Sequence, residues 1–471
     1  MSVNTVQFQT DADRMQQDGD RREFLRTALN GYILTRSGQQ SKYGDYEAAR
    51  TTAAAIKWQA IENLGEHLER FADNLEARGV HVHWCSDAAE ARAAIVGVLK
   101  KHDAKAIVKS KCMTTEEIHL NELLEKQGYD VVESDLGEYI VQLRREAPYH
   151  FVFPAMHLKR GEIRELFERE LGDAPTDDPE ALTMIARQAL RQKYLAADVG
   201  ISGANFGVAE TGMISITENE GNARLTTAMP KVHIALMGIE KVIPRFADLA
   251  VMLPMLALAG TGQRLTGYNS QFAGPRQEGE CDGPEEMHVV LLDNHRTELL
   301  AHPEERDALR CIRCGACLNV CPVFKNVGGH TYGTTYQGPI GSVITPHLRG
   351  MKDWKHLSNA SSLCGACTET CPVRIDLHHH LLRNRHSAAE SSGGWAERMQ
   401  MRGFALVMRQ PWLYGIASSL GRWAHTLSRP IHGTRLDPVY AWRKTRDFPA
   451  PAPKTFQQLW RERKKDQPPR H

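Results

Sequence analysis

Residues 311–323 read CIRCGACLNVCPV and residues 362–373 read SLCGACTETCPV. The first stretch has the form C-x2-C-x2-C-x3-C-P, in which Cys311, Cys314 and Cys317 share one tight loop and face three corners of an iron-sulfur cube. Cys321 points elsewhere. In two-cluster ferredoxins this fourth cysteine ligates the other cluster, so the two motifs exchange ligands. The spacing therefore assigns Cys311, Cys314, Cys317 and Cys371 to one cluster, and Cys321, Cys364 and Cys367 to a second. A chain built this way is expected to move electrons.

The second motif is one cysteine short, because Ser361 stands three residues before Cys364. Two readings stay open: a three-iron 3Fe-4S cluster on three thiolates, or a four-iron 4Fe-4S cluster whose last iron takes a serine, a histidine, water or a distant cysteine. Cys112, Cys281 and the run His378, His379 and His380 are distant candidates, and single residues of this kind are more often bystanders. A structural zinc site fits less well, since zinc is served by paired C-x2-C units rather than by a run ending in Cys-Pro. A disulfide framework belongs to small secreted domains, and this chain of 471 residues shows no secretion signal.

Outward from the cysteines, the region from Arg296 to Arg385 reads as short helices and turns. The long insertion from Phe324 to Ser362 predicts a helical ferredoxin domain over residues 296–390. Beyond it, residues 391–471 hold 15 Lys and Arg against five Asp and Glu, with five of the eight tryptophans. This tail is expected to be mostly helical, broken at Pro411, with a Pro-rich end. Trp412, Trp423, Trp442 and Trp460 among the cations suit either an acidic partner or the acidic body of the same chain, and packing on the body is the preferred expectation. Net charge over the whole chain is only +1, which gives no reason to expect a nucleic acid partner.

Upstream, residues 44–295 alternate helix-like and strand-like runs. Tyr46–Arg78 carries apolar residues at helical spacing. Strands are predicted at Val80–Cys85, Lys105–Lys109, Val131–Glu133, Gly212–Thr217, Val232–Met237 and Met287–Leu292, with helices between them. This order predicts an α/β domain with a mainly parallel sheet. Thr261–Pro284 reads as a long loop. The apolar run Leu249–Gly260 is too short for a bilayer and reads as a buried helix. Residues 1–43 form a helical segment, in which Arg21 and Arg22 resemble an export motif but lack the apolar stretch and cleavage site that should follow. A cytoplasmic protein is expected.

The stretches KSKCMTTEEIHLNELLEKQG (109–128), ESDLGEYIVQL (133–143), ISGANFGVAETGMISITENEGNARLTTAMP (201–230) and VVLLDNHR (289–296), together with the two cysteine motifs, resemble the lactate utilization protein B family. The resemblance spans nearly the whole chain, and the short second motif belongs to that family's pattern. It implies an LUD-type α/β domain, similar to sugar isomerases and CoA transferases, joined to a two-cluster ferredoxin module. It also implies an iron-sulfur subunit of a system oxidising L-lactate to pyruvate, working with a second LUD protein and a cysteine-rich protein. The rival is a self-contained enzyme that binds a small hydroxy acid at an open cluster iron beside the LUD pocket. A redox-responsive binding protein is a third class, but no basic helix-turn-helix is apparent.

Within the α/β region three stretches are candidates for ligand contact. Lys109, Ser110 and Lys111 follow a strand and precede a helix start at Thr114, so cations and free N–H groups meet there; capping alone also explains Thr114 and Glu116. The stretch Gly203, Asn205, Gly207, Glu210, Thr211 and Gly212 permits close backbone approach to a ligand, with Glu210 as base or acceptor, or else forms a tight turn. Glu133, Asp135 and Glu138 end a strand, either at a ligand edge or in a solvated acidic turn.

Overall fold

A computed structural model describes residues 3–437, 439–443 and 446–465, and the chain divides into two compact units after Ser391. The last six residues of the expected Pro-rich end lie outside the described residues.

In the first unit, ten strands follow in order: β1 His81–Cys85, β2 Ala106–Lys109, β3 Asp130–Glu133, β4 Val199–Gly203, β5 Phe206–Val208, β6 Met213–Glu218, β7 Val232–Gly238, β8 Val242–Ile243, β9 Tyr268–Phe272 and β10 Glu286–Leu292. Six of them make one sheet in the order β1-β10-β7-β4-β2-β3, parallel throughout. Both faces are covered, so β7 and β10 read as almost continuous apolar runs. Ile234, Leu236, Val290 and Leu292 pack on the helices Ala88–Lys101 and Leu120–Lys126. Their neighbours Ala235, Met237, Val289 and Leu291 point the other way, onto Leu64, Leu68, Phe71 and Leu75. Aspartates start the covering helices: Asp87 accepts from Ala89 and Glu90, and Asp178 accepts from Ala181 just ahead of Pro179.

Three sequence expectations change. The predicted strand at Gly212–Thr217 exists as β6 but lies in a second sheet, β8-β5-β6-β9. Gly212, at φ 69°, turns the chain back on itself, so β5 and β6 pair as a hairpin instead of joining the parallel sheet. The expected loop Thr261–Pro284 contains β9, which pairs antiparallel to β6. The helix expected over Tyr46–Arg78 is two, Tyr46–Glu62 and Leu64–Glu76, meeting at Asn63.

The ferredoxin region is helical, and the longest of its early pieces, Gly338–Arg349, buries Ile340, Val343 and Ile344. The N-terminal helices Val3–Gln17 and Gly19–Gln40 pack on this region: Leu25 and Leu29 share a core with Leu318, Phe324 and Ile340. In the second unit, helices Trp395–Arg409 and Pro411–Leu427 pack on each other, with the break at Pro411 as expected. Among the described residues no helix is long and apolar enough to cross a membrane.

Candidate iron-sulfur centre and adjoining cavity

The two cysteine stretches fold into near copies of one another. In each, a non-glycine residue takes a left-handed conformation, Arg313 at φ 58° and Leu363 at φ 54°, and a left-handed glycine follows two residues later. Five-residue helices, Ala316–Val320 and Ala366–Thr370, come next and pack on each other. Cys311, Cys314, Cys317 and Cys371 line one small enclosed space, capped by Ile340 and Phe151. Cys321 lies instead within electrostatic reach of Cys364 and Cys367. The structure thus brings Cys371 to the first motif and Cys321 to the second.

Backbone N–H groups aim at the sulfurs. Arg313 donates to Cys311 at 3.4 Å, Phe324 to Cys321 at 3.5 Å, and Ile375 to Cys371 at 3.4 Å. The buried Tyr332 lies within electrostatic reach of Cys321. Burial pushes the Cys317 thiol well up, with Cys311 and Cys314 adding to the rise; burial likewise takes Cys371 up to about 11 and Cys367 up to about 12. Several crowded sulfurs in a water-poor space cannot all ionise unless a cation neutralises them. Converging thiols met by amide donors therefore fit iron-sulfur clusters, whose sulfurs accept such hydrogen bonds. Cys364 is exposed, so the second set reaches the surface, whereas in the first Cys317 and Cys371 are buried and Cys311 and Cys314 half-buried.

Beside Cys314 opens a cavity of about 310 Å³ at the carboxyl ends of β2 and β4, where ligands gather in open α/β sheets. Lys111, Lys241 and Arg313 line it together with Asn205 and Glu220. Lys111 donates to the Val152 carbonyl at 2.6 Å and Lys241 to the Ala204 carbonyl at 2.7 Å. Burial pulls the Lys241 ammonium below its ordinary value. Arg313 reaches Glu240 at 3.2 Å and lies 4.6 Å over the Tyr336 ring, while its Nε and Nη1 find no hydrogen-bond partner among the described residues. Glu220 is pushed up to about 7 by burial and by Asp135.

Of the residues singled out from sequence, Ser110, Lys111, Cys112, Asp135, Gly203 and Asn205 line this cavity. Lys109 does not. It is fully buried behind the sheet edge, 2.6 Å from Glu133 and 3.3 Å from Glu116, and these carboxylates outweigh burial to hold it charged. Glu138, close to the same carboxylates, is raised well above the ordinary range by burial and then by Glu133 and Glu116. Asp135 caps the helix Leu136–Leu143 through the Glu138 N–H. Glu210 accepts from the Phe246 N–H at 2.8 Å, and the Thr211 N–H closes a turn onto Val208; neither lines the cavity. His378, His379 and His380 pair with Thr368, Asp376 and Asp307. Cys112 is buried against Leu236, and Cys281 sits exposed between β9 and β10. Arg313, Lys241 and Tyr332 were not picked out from sequence, and no spacing rule would have marked them.

Comparison with known families fits this geometry. Residues 68–292 match a family model described as LUD domain, and residues 307–375 match one described as 4Fe-4S dicluster domain. Residues 378–465 match one described as Lactate utilisation protein B, C-terminal. Lactate utilization protein B of Bacillus velezensis is 43% identical over 479 residues, covering 99% of this chain and 98% of that protein. The chain belongs to the lactate utilization protein B family. Other members include the Bacillus licheniformis protein, 43% identical over 99% of this chain and 98% of its own length, and the Bacillus subtilis protein, 42% identical over 98% of each. The family's three parts thus account for the sheet, the cysteine module and the C-terminal unit.

Proposed function

We propose that this protein is the iron-sulfur electron-transfer subunit of a cytoplasmic system that oxidises L-lactate to pyruvate. Its relatives carry lactate utilization in their names. The observation that carries the reading is the pair of cysteine sets, Cys311, Cys314, Cys317 and Cys371 beside a cationic cavity, then Cys321, Cys364 and Cys367 ending at the surface. When bound, two 4Fe-4S-type clusters supply one-electron storage and transfer at potentials set by burial and hydrogen bonds. Loss of two electrons and two protons turns lactate into pyruvate, so two one-electron carriers match the demand. A second LUD protein and a cysteine-rich protein are the proposed partners, one supplying or sharing the substrate site and the other receiving electrons.

A second reading has its own observation. The cavity beside Cys314 presents Lys111, Lys241 and two unpartnered Arg313 nitrogens, a setting suited to a small carboxylate. In that reading the hydroxy acid binds this chain itself.

The test is anaerobic iron and acid-labile sulfide analysis, with lactate-dependent reduction of an acceptor by the reconstituted system. Cys314→Ser is expected to lose one cluster and to stop electron flow. Zinc without sulfide, or unchanged turnover in the folded variant, would overturn the proposal. Lactate oxidation by the isolated chain with an artificial acceptor would favour the second reading.

A further inference from the structure

The two copies of the cysteine loop can be compared atom by atom. Cys311 stands three residues before Cys314, and Ser361 stands three residues before Cys364. In the first copy the Cys311 sulfur accepts a hydrogen bond from the Arg313 N–H, 3.4 Å away; in the second the Ser361 hydroxyl oxygen accepts one from the Leu363 N–H, 3.1 Å away. Both donors are the left-handed residues that set the loop, and the following glycines match at φ 79° and 81°. The copies also end alike, Cys321 at φ −71°, ψ 119° and Cys371 at φ −66°, ψ 120°, each before a proline. The Ser361 oxygen therefore occupies the place of a ligating sulfur.

We propose that Ser361 Oγ is the fourth protein ligand of the cluster held by Cys321, Cys364 and Cys367. The inference rests on the iron-sulfur reading above and completes the set that the sequence leaves one short. Competing side chains are engaged elsewhere: His378 with Thr368, His379 with Asp376 and His380 with Asp307, while Cys112 lines the cavity beside Cys314, on the side of the first cysteine set. The loop is also held in place, since Arg385 donates to the Ser361 carbonyl at 2.6 Å and to the Ser358 carbonyl at 3.0 Å. Ser361 is half-buried and Cys364 exposed, so the hydroxyl proton released on ligation has a path to water. A serine oxygen is a harder donor than a thiolate and favours the more oxidised iron. The iron at this corner is then the most easily lost, and replacing the oxygen by sulfur raises the potential.

The experiment uses the full chain, purified anaerobically, as wild type, Ser361→Ala, Ser361→Cys and the exposed-neighbour control Ser362→Ala. Iron and sulfide are counted, and EPR and Mössbauer spectra are recorded in oxidised and reduced states. Ser361→Ala is expected to lose about one iron per chain and to gain the signal of an oxidised three-iron cluster. Ser361→Cys should keep all its iron, resist iron loss under mild ferricyanide and shift the potential upward; Ser362→Ala should match wild type. A Ser361→Ala protein with unchanged iron and spectra overturns the proposal, as does a three-iron cluster native to the anaerobic wild type. If Ser361→Ala fails to fold, a Ser361→Cys protein with wild-type spectra and potential overturns it equally. Absence of iron and sulfide from wild type would instead defeat the underlying cluster reading.

Discussion

Arg296 grips Glu117 through two parallel hydrogen bonds, 3.0 and 2.8 Å long, with both side chains almost wholly excluded from water. The pair belongs to a longer chain of charges: Arg296 also meets Glu240, Glu240 meets Arg313, and the Tyr336 hydroxyl donates to Glu117 at 2.6 Å. Glu117 and Glu240 come from the α/β domain, whereas Arg313 and Tyr336 come from the cysteine module, so the network joins the two.

Removing one partner of a buried ion pair leaves the other charge uncompensated, which costs about 3–5 kcal/mol. Glu117→Gln is expected to destabilise the protein by about that much, read as a fall in the denaturation midpoint. The double variant Glu117→Gln/Arg296→Gln should lose less than the sum of the single losses. Additivity would show that the pair is not coupled.

Arg50 acts on the module from an N-terminal helix. Its Nε and Nη2 donate to the Cys371 carbonyl at 3.1 and 2.8 Å, and Nη2 also reaches the Glu369 carbonyl at 2.7 Å. Arg50→Ala leaves the Cys371 carbonyl with only the Arg374 N–H and takes the Arg50 donor from the Glu369 carbonyl, at about 1–3 kcal/mol. The expected result is faster iron loss on exposure to a chelator, with Arg50→Lys intermediate; iron retention equal to wild type would rule out this bracing role.

Tyr332→Phe removes a hydroxyl close enough to Cys321 to hydrogen-bond its sulfur in the loaded centre. Such a bond favours the reduced, more negative state, so the potential of the second cluster should fall while iron content stays constant. A hydrogen bond to a charged acceptor is worth about 1.5–3 kcal/mol, and a tenfold change corresponds to about 59 mV for one electron. A fall of tens of millivolts in an EPR-monitored redox titration is the expected outcome, and an unmoved potential would count against the bond.

Glu220 gives the cavity a pH dependence. Burial and Asp135 raise its carboxyl to about 7; Glu218 acts in the same direction and Lys111 in the opposite one. Above that value the side chain is anionic and repels a carboxylate ligand, and below it the repulsion is gone. Binding of a small monocarboxylate should therefore tighten as pH falls from 8 to 6. Glu220→Gln should bind tightly at both ends of that range, and calorimetric titrations with lactate and pyruvate would check it.

Much of this architecture was legible because the informative residues were close in sequence. Val232–Met237 and Met287–Leu292 announce doubly covered strands through almost continuous apolar runs, and the cysteines announce their grouping through spacing. The strand Val199–Gly203 was not read, since VGISG has too few bulky side chains to look like a strand. Its last residue Gly203, with Asn205, was instead read as a Gly-rich stretch open to a ligand or forming a tight turn, and both residues line the cavity. Lys109 looked equivalent to Lys111, yet residues two apart along a short extended stretch need not share surroundings, and it turns to Glu133. Arg313 and Lys241 escaped notice because their meeting is long-range: one stands just before Cys314 and the other ends the short helical turn Ile239–Lys241 far upstream. The covering role of residues 3–40 was equally hidden, since an amphipathic helix does not reveal which surface it will find.

Cys371, the final cysteine of the chain, lines the same small space as Cys311, Cys314 and Cys317. On the proposed ligand set, the first site therefore stays incomplete during synthesis until nearly the whole module has left the ribosome. A chain truncated within the second motif would lack one ligand of the first site, so loading would follow the meeting of the two halves. The crossing of ligands would then act as an inspection step, joining cofactor insertion to the completion of folding.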